Sequence, residues 1–388
     1  MSRRLRRATW LSLALATMVR LTVAPLRALS ADEAYYLCAA RRGHGAWPIE
    51  DHPPLLGAFL ALADRLVPGP IELRVRAVAA LLAVVTALGV GRLASLLAAP
   101  DRREQSRWLA ILVATWGLMP MVGGLIATPD APLLAASAWL FAFSAERDDR
   151  LVDDGCRAAL SALVVASKAI GAPIVLILAI AEVVRGRPRR AVALLLGALV
   201  AAPLALTSTI AQARHAVGLG PLVGAPYVGP LAALFALAIG QLFLWSPPLV
   251  VQAFRKATRA TLPRPLAAVC AGIALMVLAS ALIAGRPPEP NWTAPAALAL
   301  LAATAVTLVD AQATWRHVVV AVAIAPTLLA LSLWSTPRSL LPNDPLERTP
   351  PRARLDPTRA ETRYGAAAWR CLYRDECTDI DTIFNAYP

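Results

Sequence analysis

Ser30-Ala31-Asp32-Glu33 and Glu50-Asp51-His52-Pro53-Pro54-Leu55 share one polar loop behind the first long apolar run of the chain. Most of the chain beyond that loop is compatible with hydrocarbon. Carboxylates held against a membrane face are costly unless they are paired or used, so the loop marks a candidate active site. The chain therefore reads first as a membrane enzyme.

Composition supports that reading. The 388 residues are 58% hydrophobic and 16% charged, with a mean hydropathy of +0.59. Soluble domains lie nearer half apolar and a quarter charged. The apolar runs approach the length that spans a bilayer, about 20 residues. The expected class is an all-α polytopic membrane protein built as one bundle. The net charge of +13 is the balance of a nucleic-acid binder. Here, however, the basic residues fall in short clusters between apolar runs, where they act as topology signals, and no nucleic-acid partner is expected. Nearly all are arginine; Lys168 and Lys256 are the two lysines, which makes a lysine inside an apolar run conspicuous.

Cys38, Cys156 and Cys270 lie apart and read as small apolar fillers. Cys371 and Cys377 can pair if the tail faces an oxidising compartment. The basic start and the run to Leu26 resemble a signal peptide. No clean small-residue cleavage site precedes Asp32, so the run is expected to remain as the first span.

Apolar runs lie near 8–26, 77–98, 108–127, 131–146, 158–184, 190–208, 229–250, 266–284, 292–309 and 317–336. Basic clusters at Arg3–Arg7, Arg102–Arg107, Arg147–Arg157, Arg185–Arg190, Arg255–Arg264 and Arg316 should face the cytoplasm. With the N-terminus inside, residues 27–74 form a first external loop, and the run at 77–98 must return. Leu55 to Leu66 then lies along the interface, being too short to cross. The run at 158–184 has basic residues on both flanks, so it is expected to be a hairpin turning near Lys168-Ala169-Ile170-Gly171. The count becomes about 11 crossings. Residues 1–336 form the membrane domain. Residues 337–388, with five prolines between Pro342 and Pro357, form an external tail that can cap it.

This topology gathers the unusual polar groups outside. Ser30 and Glu33 fit a capping box, which accounts for Glu33 and lets Asp32 point outward as a proton acceptor. Asp51-His52-Pro53-Pro54 reads equally as a helix start or as a turn that sets Asp51 or His52 beside Asp32. In Thr128-Pro129-Asp130 the threonine can cap, the proline suits a first helical position and the aspartate suits the helix dipole. Lys168 either reaches passively to the interface or neutralises a phosphate, with Arg76 and Arg286 assisting. Glu289 and Asn291 sit in a proline-rich loop, 285–292, that enters a span; Trp292 reads as an interface anchor. His215 and His317 read as loop histidines. Asp32 and Glu33 offer two ligands to a divalent ion, but no complete oxygen cage accompanies them, so no metal or other cofactor is expected.

Taken in order, these pieces resemble the GT-C glycosyltransferases, and more narrowly the group of protein O-mannosyltransferases and lipid A aminoarabinose transferases. The likeness rests on the acidic pair after the first span, His52-Pro53-Pro54-Leu55, Glu72 and Arg76 opening the next span, Thr128-Pro129-Asp130-Ala131-Pro132-Leu133, Ser167-Lys168, and Pro290-Asn291-Trp292. It covers about residues 8–300. The resemblance implies a polyprenyl-phosphate sugar donor, an external acceptor hydroxyl, Asp32 as general base and Lys168, with Arg286, on the lipid phosphate. Catalytic candidates are thus Asp32, Glu33 and Asp130; phosphate-binding candidates are Lys168, Arg286 and Arg76; positioning candidates are Asp51, His52, Glu289 and Asn291. The expected setting is a bacterial inner membrane, with the site and tail facing the periplasm. A transporter or lipid flippase is the first rival, and a non-catalytic assembly protein on the same scaffold is the second. A transporter site should be reachable from both sides and often shows inverted repeats, and no repeat is evident.

Overall fold

The structure is a computed structural model that describes residues 3–27, 29–42, 53–146, 150–217, 229–245, 262–284, 290–309 and 327–331. The described regular elements are all helical. α1 spans Arg3–Val23, α2 Ala31–Arg42, α3 Leu55–Leu66, α4 Ile71–Leu97, α5 Arg103–Trp116, α6 Leu118–Gly123 and α7 Asp130–Ala145. α8 spans Leu151–Ser167, α9 Gly171–Val184, α10 Pro188–Val217, α11 Pro230–Trp245, α12 Arg264–Ala284 and α13 Ala294–Val309.

Among the described residues, five stretches are long and apolar enough to cross a membrane: Arg6–Leu26, Ile71–Leu97, Pro188–Leu206, Arg264–Leu282 and Asn291–Val309. Asp130–Ala145, Gly171–Val184 and Pro230–Gln241 are shorter apolar helices. The protein is an integral membrane protein of helical-bundle class. The expected count of about 11 crossings is not reached by length and apolarity among the described residues.

The main core is made where α4, α5, α7 and α13 meet, with α8, α9 and α10 continuing it. Small residues let these helices approach. A Cβ at Gly197 of α10 would fall 1.9 Å from the Ala158 carbonyl oxygen of α8, and one at Gly89 would fall 2.8 Å from the Ala138 Cβ of α7. Association in lipid relies on such close packing, because hydrocarbon removes the hydrophobic drive between helices.

Several expectations from sequence are found at their places. A helix runs from Leu55 to Leu66, following Pro53 and Pro54, as expected. It lies with α2 in a second apolar cluster, burying Leu56 and Leu60 against Leu37, Ala34 and Val75. Asp64 pins this layer: it receives both Nε and Nη2 of Arg41 at 2.7 and 3.0 Å and Nη1 of Arg74 at 3.3 Å. Burial pushes the Asp64 carboxyl up, but the hydrogen bonds and charges of Arg41 and Arg74 outweigh it and hold the group below the usual carboxylate range. Burial also pushes the Cys38 thiol of α2 up to about 12, so it stays a protonated filler.

The run at 158–184 is a hairpin. α8 ends at Ser167, Lys168 is extended, with φ −158° and ψ 146°, and α9 starts at Gly171. Gly171 is required by closeness, since a Cβ there would meet the Val164 carbonyl oxygen at 2.2 Å. The run at 108–127 differs from its expectation of one helix. It breaks at Gly117, whose ψ of 150° ends α5, and resumes as α6 across Pro120. Proline removes a helical hydrogen bond and glycine tolerates the break. His215 lies in the last turn of α10 rather than in a loop. The 317–336 run is described only at residues 327–331, and the tail 337–388 with Cys371 and Cys377 lies outside the described residues.

The basic clusters also close helix ends. Arg157 donates Nε and Nη2 to the Phe143 carbonyl and Nη1 to Asp154 at 2.7 Å. Arg190 donates to the Glu146 carbonyl at 2.9 Å, and Arg92 pairs with the Glu146 carboxylate. Cations therefore satisfy the C-terminal carbonyls of α7, where the helix dipole favours positive charge.

Two outcomes are expected of this packing. Gly197→Ala should destabilise the protein by about 1–3 kcal/mol through overpacking, whereas Gly155→Ala, which faces open space, should not; thermal unfolding in lipid checks both. The stabilising share of Asp64 is fully present above the unfolded carboxyl value of about 3.9 and is lost as pH falls through the lower folded value. Asp64→Asn should therefore lower Tm near neutrality and flatten its acid limb.

Candidate active site

Two polar centres lie at the end of the bundle where α2 and α7 begin. The first is built on Glu33. Ser30 and Glu33 form the expected capping box: Ser30 N–H donates to Glu33 Oε2 at 2.8 Å, and Glu33 N–H to Ser30 Oγ at 3.2 Å. The Glu33 carboxylate also receives Arg76 Nε at 2.9 Å, Arg76 Nη2 at 2.7 Å and the Ala127 N–H at 3.2 Å. Arg76 Nη1 donates to the carbonyls of Ala24 and Arg27, the latter at 2.7 Å. Glu33 and Arg76 are 0% and 1% exposed.

This geometry redraws two expectations. Each nitrogen of the Arg76 guanidinium already donates within the fold, so Arg76 is a strut rather than a ligand held ready for phosphate. Each Glu33 oxygen accepts two hydrogen bonds within the fold. Asp32, its neighbour in the first turn of α2, is exposed.

The second centre joins three distant segments. Lys168 Nζ donates to Asp130 Oδ1 at 2.9 Å, and Asn291 Nδ2 donates to Asp130 Oδ2 at 2.7 Å. Lys168 and Asp130 side chains are 13% and 11% exposed. Asp130 opens α7 behind Pro129, and no side chain caps that helix; the expected Thr128 cap is replaced by its backbone carbonyl, which accepts the Ala131 N–H at 3.0 Å. Lys168 comes from the extended break between α8 and α9. Asn291 comes from a 3-10 turn, Pro290–Thr293, that leads into α13. Thr293 of the same turn donates to Gln241 of α11. Gln241 was not singled out from sequence. Its signal was a lone amide inside an otherwise apolar run.

Asp51, His52, Arg286 and Glu289 lie outside the described residues, as does Glu50. Among the described residues, no three His, Cys, Asp or Glu side chains converge as metal ligands.

Solved structures share this architecture. ArnT from Cupriavidus metallidurans bound to undecaprenyl phosphate superposes on 97% of this chain and 74% of its own, with a TM-score of 0.59 and 19% identity. The fold of this chain is shared with that protein. The oligosaccharyltransferase of Archaeoglobus fulgidus in complex with Zn and sulfate matches over 97% of this chain and 56% of its own, with a TM-score of 0.56 and 17% identity. The archaeal oligosaccharyltransferase AglB from Archaeoglobus fulgidus, in complex with an inhibitory peptide and a dolichol-phosphate, matches over 93% of this chain and 58% of its own, with a TM-score of 0.53 and 15% identity. No protein-family model matches the sequence, and no curated protein sequence is similar to it.

Removing one partner of a buried ion pair leaves an uncompensated charge, at a cost of about 3–5 kcal/mol. Glu33→Gln and Arg76→Met should each lower the unfolding midpoint strongly. A double-mutant cycle should return a large coupling between them, and additive effects would show that the two side chains act apart.

Proposed function

We propose that the chain is an integral membrane glycosyltransferase that moves a sugar from a polyprenyl-phosphate donor to an acceptor hydroxyl. The observation that carries this reading is the Lys168–Asp130–Asn291 centre, a cation held in an apolar bundle at the end where Asp32 is exposed. The fold supports it, being shared with enzymes solved with undecaprenyl phosphate and with dolichol-phosphate.

In this mechanism Asp32 takes the proton of the acceptor hydroxyl as its oxygen attacks the anomeric carbon. The bond from that carbon to the phosphate oxygen breaks, and its electron pair leaves with the polyprenyl phosphate. Lys168 neutralises the charge on the leaving phosphate, in a setting where water does not screen it. A single displacement inverts the anomeric centre. Asp130 holds Lys168 in place and is itself held by Asn291, and a groove between helices orients the lipid tail. Arg286, on the segment that leads to Asn291, is assigned as the second phosphate cation. Asp51 and His52, with Glu289, are assigned to positioning the acceptor. This reading assigns no metal to Glu33, whose oxygens each already accept two hydrogen bonds. The site and the acceptor face the periplasm of a bacterial inner membrane.

The test is donor consumption by the purified protein in lipid, across a panel of polyprenyl-phosphate sugars. The wild type should consume one of them. Asp32→Asn should slow transfer about 10²–10⁴-fold, the range of a lost general base, and leave donor binding intact. Lys168→Met should weaken binding of the lipid phosphate itself. Full activity in Asp32→Asn would remove the base assignment. Failure of the wild type to consume any donor would turn the reading toward transport or a non-catalytic scaffold.

A further inference from the structure

α1 carries an arginine that none of the roles above uses. Arg20 is 1% exposed, three residues before the helix ends. One nitrogen, Nη2, donates to the Thr115 carbonyl at 2.9 Å and to the Pro120 carbonyl at 3.3 Å. Its Nε and Nη1 are buried without a hydrogen-bond partner. A buried cation is expensive in a bilayer and is retained where it is used. No carboxylate among the described residues pairs with Arg20. Its charge meets instead the last-turn carbonyl of α5, the negative end of that helix.

Its neighbours point to the use. Gly117 to Ala127 is a strap of chain between α5 and the start of α7. Arg20 lies under it: a Cβ at Gly124 would fall 2.6 Å from Arg20 Nε and 2.9 Å from the Ala83 Cβ of α4. The far end of the strap is held by Glu33, through the Ala127 N–H. Thr128, Pro129 and Asp130 follow at once. The strap thus has two anchors, one from α1 and one from α2, and its exit sets where Asp130, and therefore Lys168, can stand.

We infer that Arg20 is a positioning residue for the Asp130–Lys168 centre, acting by clamping the Gly117–Ala127 strap. Its consequence for turnover rests on the transferase reading; its consequence for the strap does not. The guanidinium is matched to the task because one nitrogen reaches the carbonyls on both sides of the Gly117 break. A lysine keeps the charge on a shorter side chain that falls short of the Nη2 position, so it should hold the strap only in part. Misplacing a reacting or orienting group by about 1 Å is enough to cost about 100-fold in rate.

The experiment is backbone hydrogen exchange, read by mass spectrometry on the full chain in lipid nanodiscs. It compares wild type, Arg20→Met, Arg20→Lys, Gly124→Ala and the control Gly155→Ala. Four strap amides report directly: Gly124 N–H on the Pro120 carbonyl, Leu125 and Ile126 N–H on the Val122 carbonyl, and Ala127 N–H on Glu33. Arg20→Met should raise their exchange about tenfold or more while α8 and α10 stay protected, with Arg20→Lys between it and the wild type. Where donor consumption is measurable, kcat should fall about 100-fold with KM nearly unchanged, and Arg20→Lys should recover part of the loss. Unchanged strap exchange in Arg20→Met, or an equal rise in every helix, would overturn the inference. If Arg20→Met does not fold, Gly124→Ala perturbs the same contact from the other side and is read by the same amides. Altered strap exchange in a protein that consumes no donor would leave the clamp standing and remove only the transferase reading.

Discussion

The buried pair of Glu33 and Arg76 fixes the geometry of everything at the polar end of the bundle. One carboxylate and one guanidinium collect the turn that ends α1, the N-terminus of α2, the first turns of α4 and the last residue of the strap before Thr128. Each oxygen of Glu33 accepts twice. Such a pair returns its desolvation cost only when the remaining lone pairs and protons are satisfied as well. Here the backbone supplies those partners, which is why the ion pair can hold separate segments in one place without water. The same pairing buries Glu33 completely, whereas its neighbour Asp32 is exposed.

The opposite end of the bundle is held on another principle. There the cations are those that sequence assigns to the cytoplasm, and they lie on helix C-termini. Arg157 and Arg190 close the end of α7, each through a main-chain carbonyl. A residue that reports topology in the sequence thus also holds the fold together. Arg20 applies the same chemistry at the polar end, where it closes α5. The chain builds both ends of its bundle by setting guanidinium groups against orphan carbonyls.

How much of this was legible depends on the range over which each signal acts. Helix α3 could be bounded at Leu55 and Leu66 because prolines and a glycine fence a run too short to cross. The hairpin at Lys168 followed from charge alone, since basic residues flank both sides of the apolar run. The capping box is local, and spacing is enough to find it. The break at Gly117 was marked only by Gly117 and Pro120 within a run that hydropathy reads as continuous, and hydropathy does not report a change of direction. The pairing of Lys168 with Asp130 was equally hidden: it joins positions 38 residues apart, on elements whose packing no local pattern encodes. Arg20 did carry a signal, a charge inside the first apolar run, but a partner made of main-chain carbonyls leaves no mark on side-chain identity.

The choice of cation at the two centres is itself informative. In a chain whose basic residues are nearly all arginine, the group on Asp130 is a lysine. Arg76 is locked by its planar fork onto Glu33, with its donors spent in fixed directions. An ammonium is a rotatable point charge with three donors. Lys168 can give one hydrogen to Asp130, which lowers the cost of holding it in an apolar setting, and still have two to offer an anion. A phosphate reaching it need not break the existing pair. The negative charge of Asp130 opposes a second anion, so under the proposed reading the lysine would hold a phosphate less tightly than a bare cation would. For a transferase, that moderation has a use. In the proposed transfer the leaving polyprenyl phosphate would carry more charge than the bound donor, and a cation already part-neutralised would stabilise departure without retaining the product as firmly.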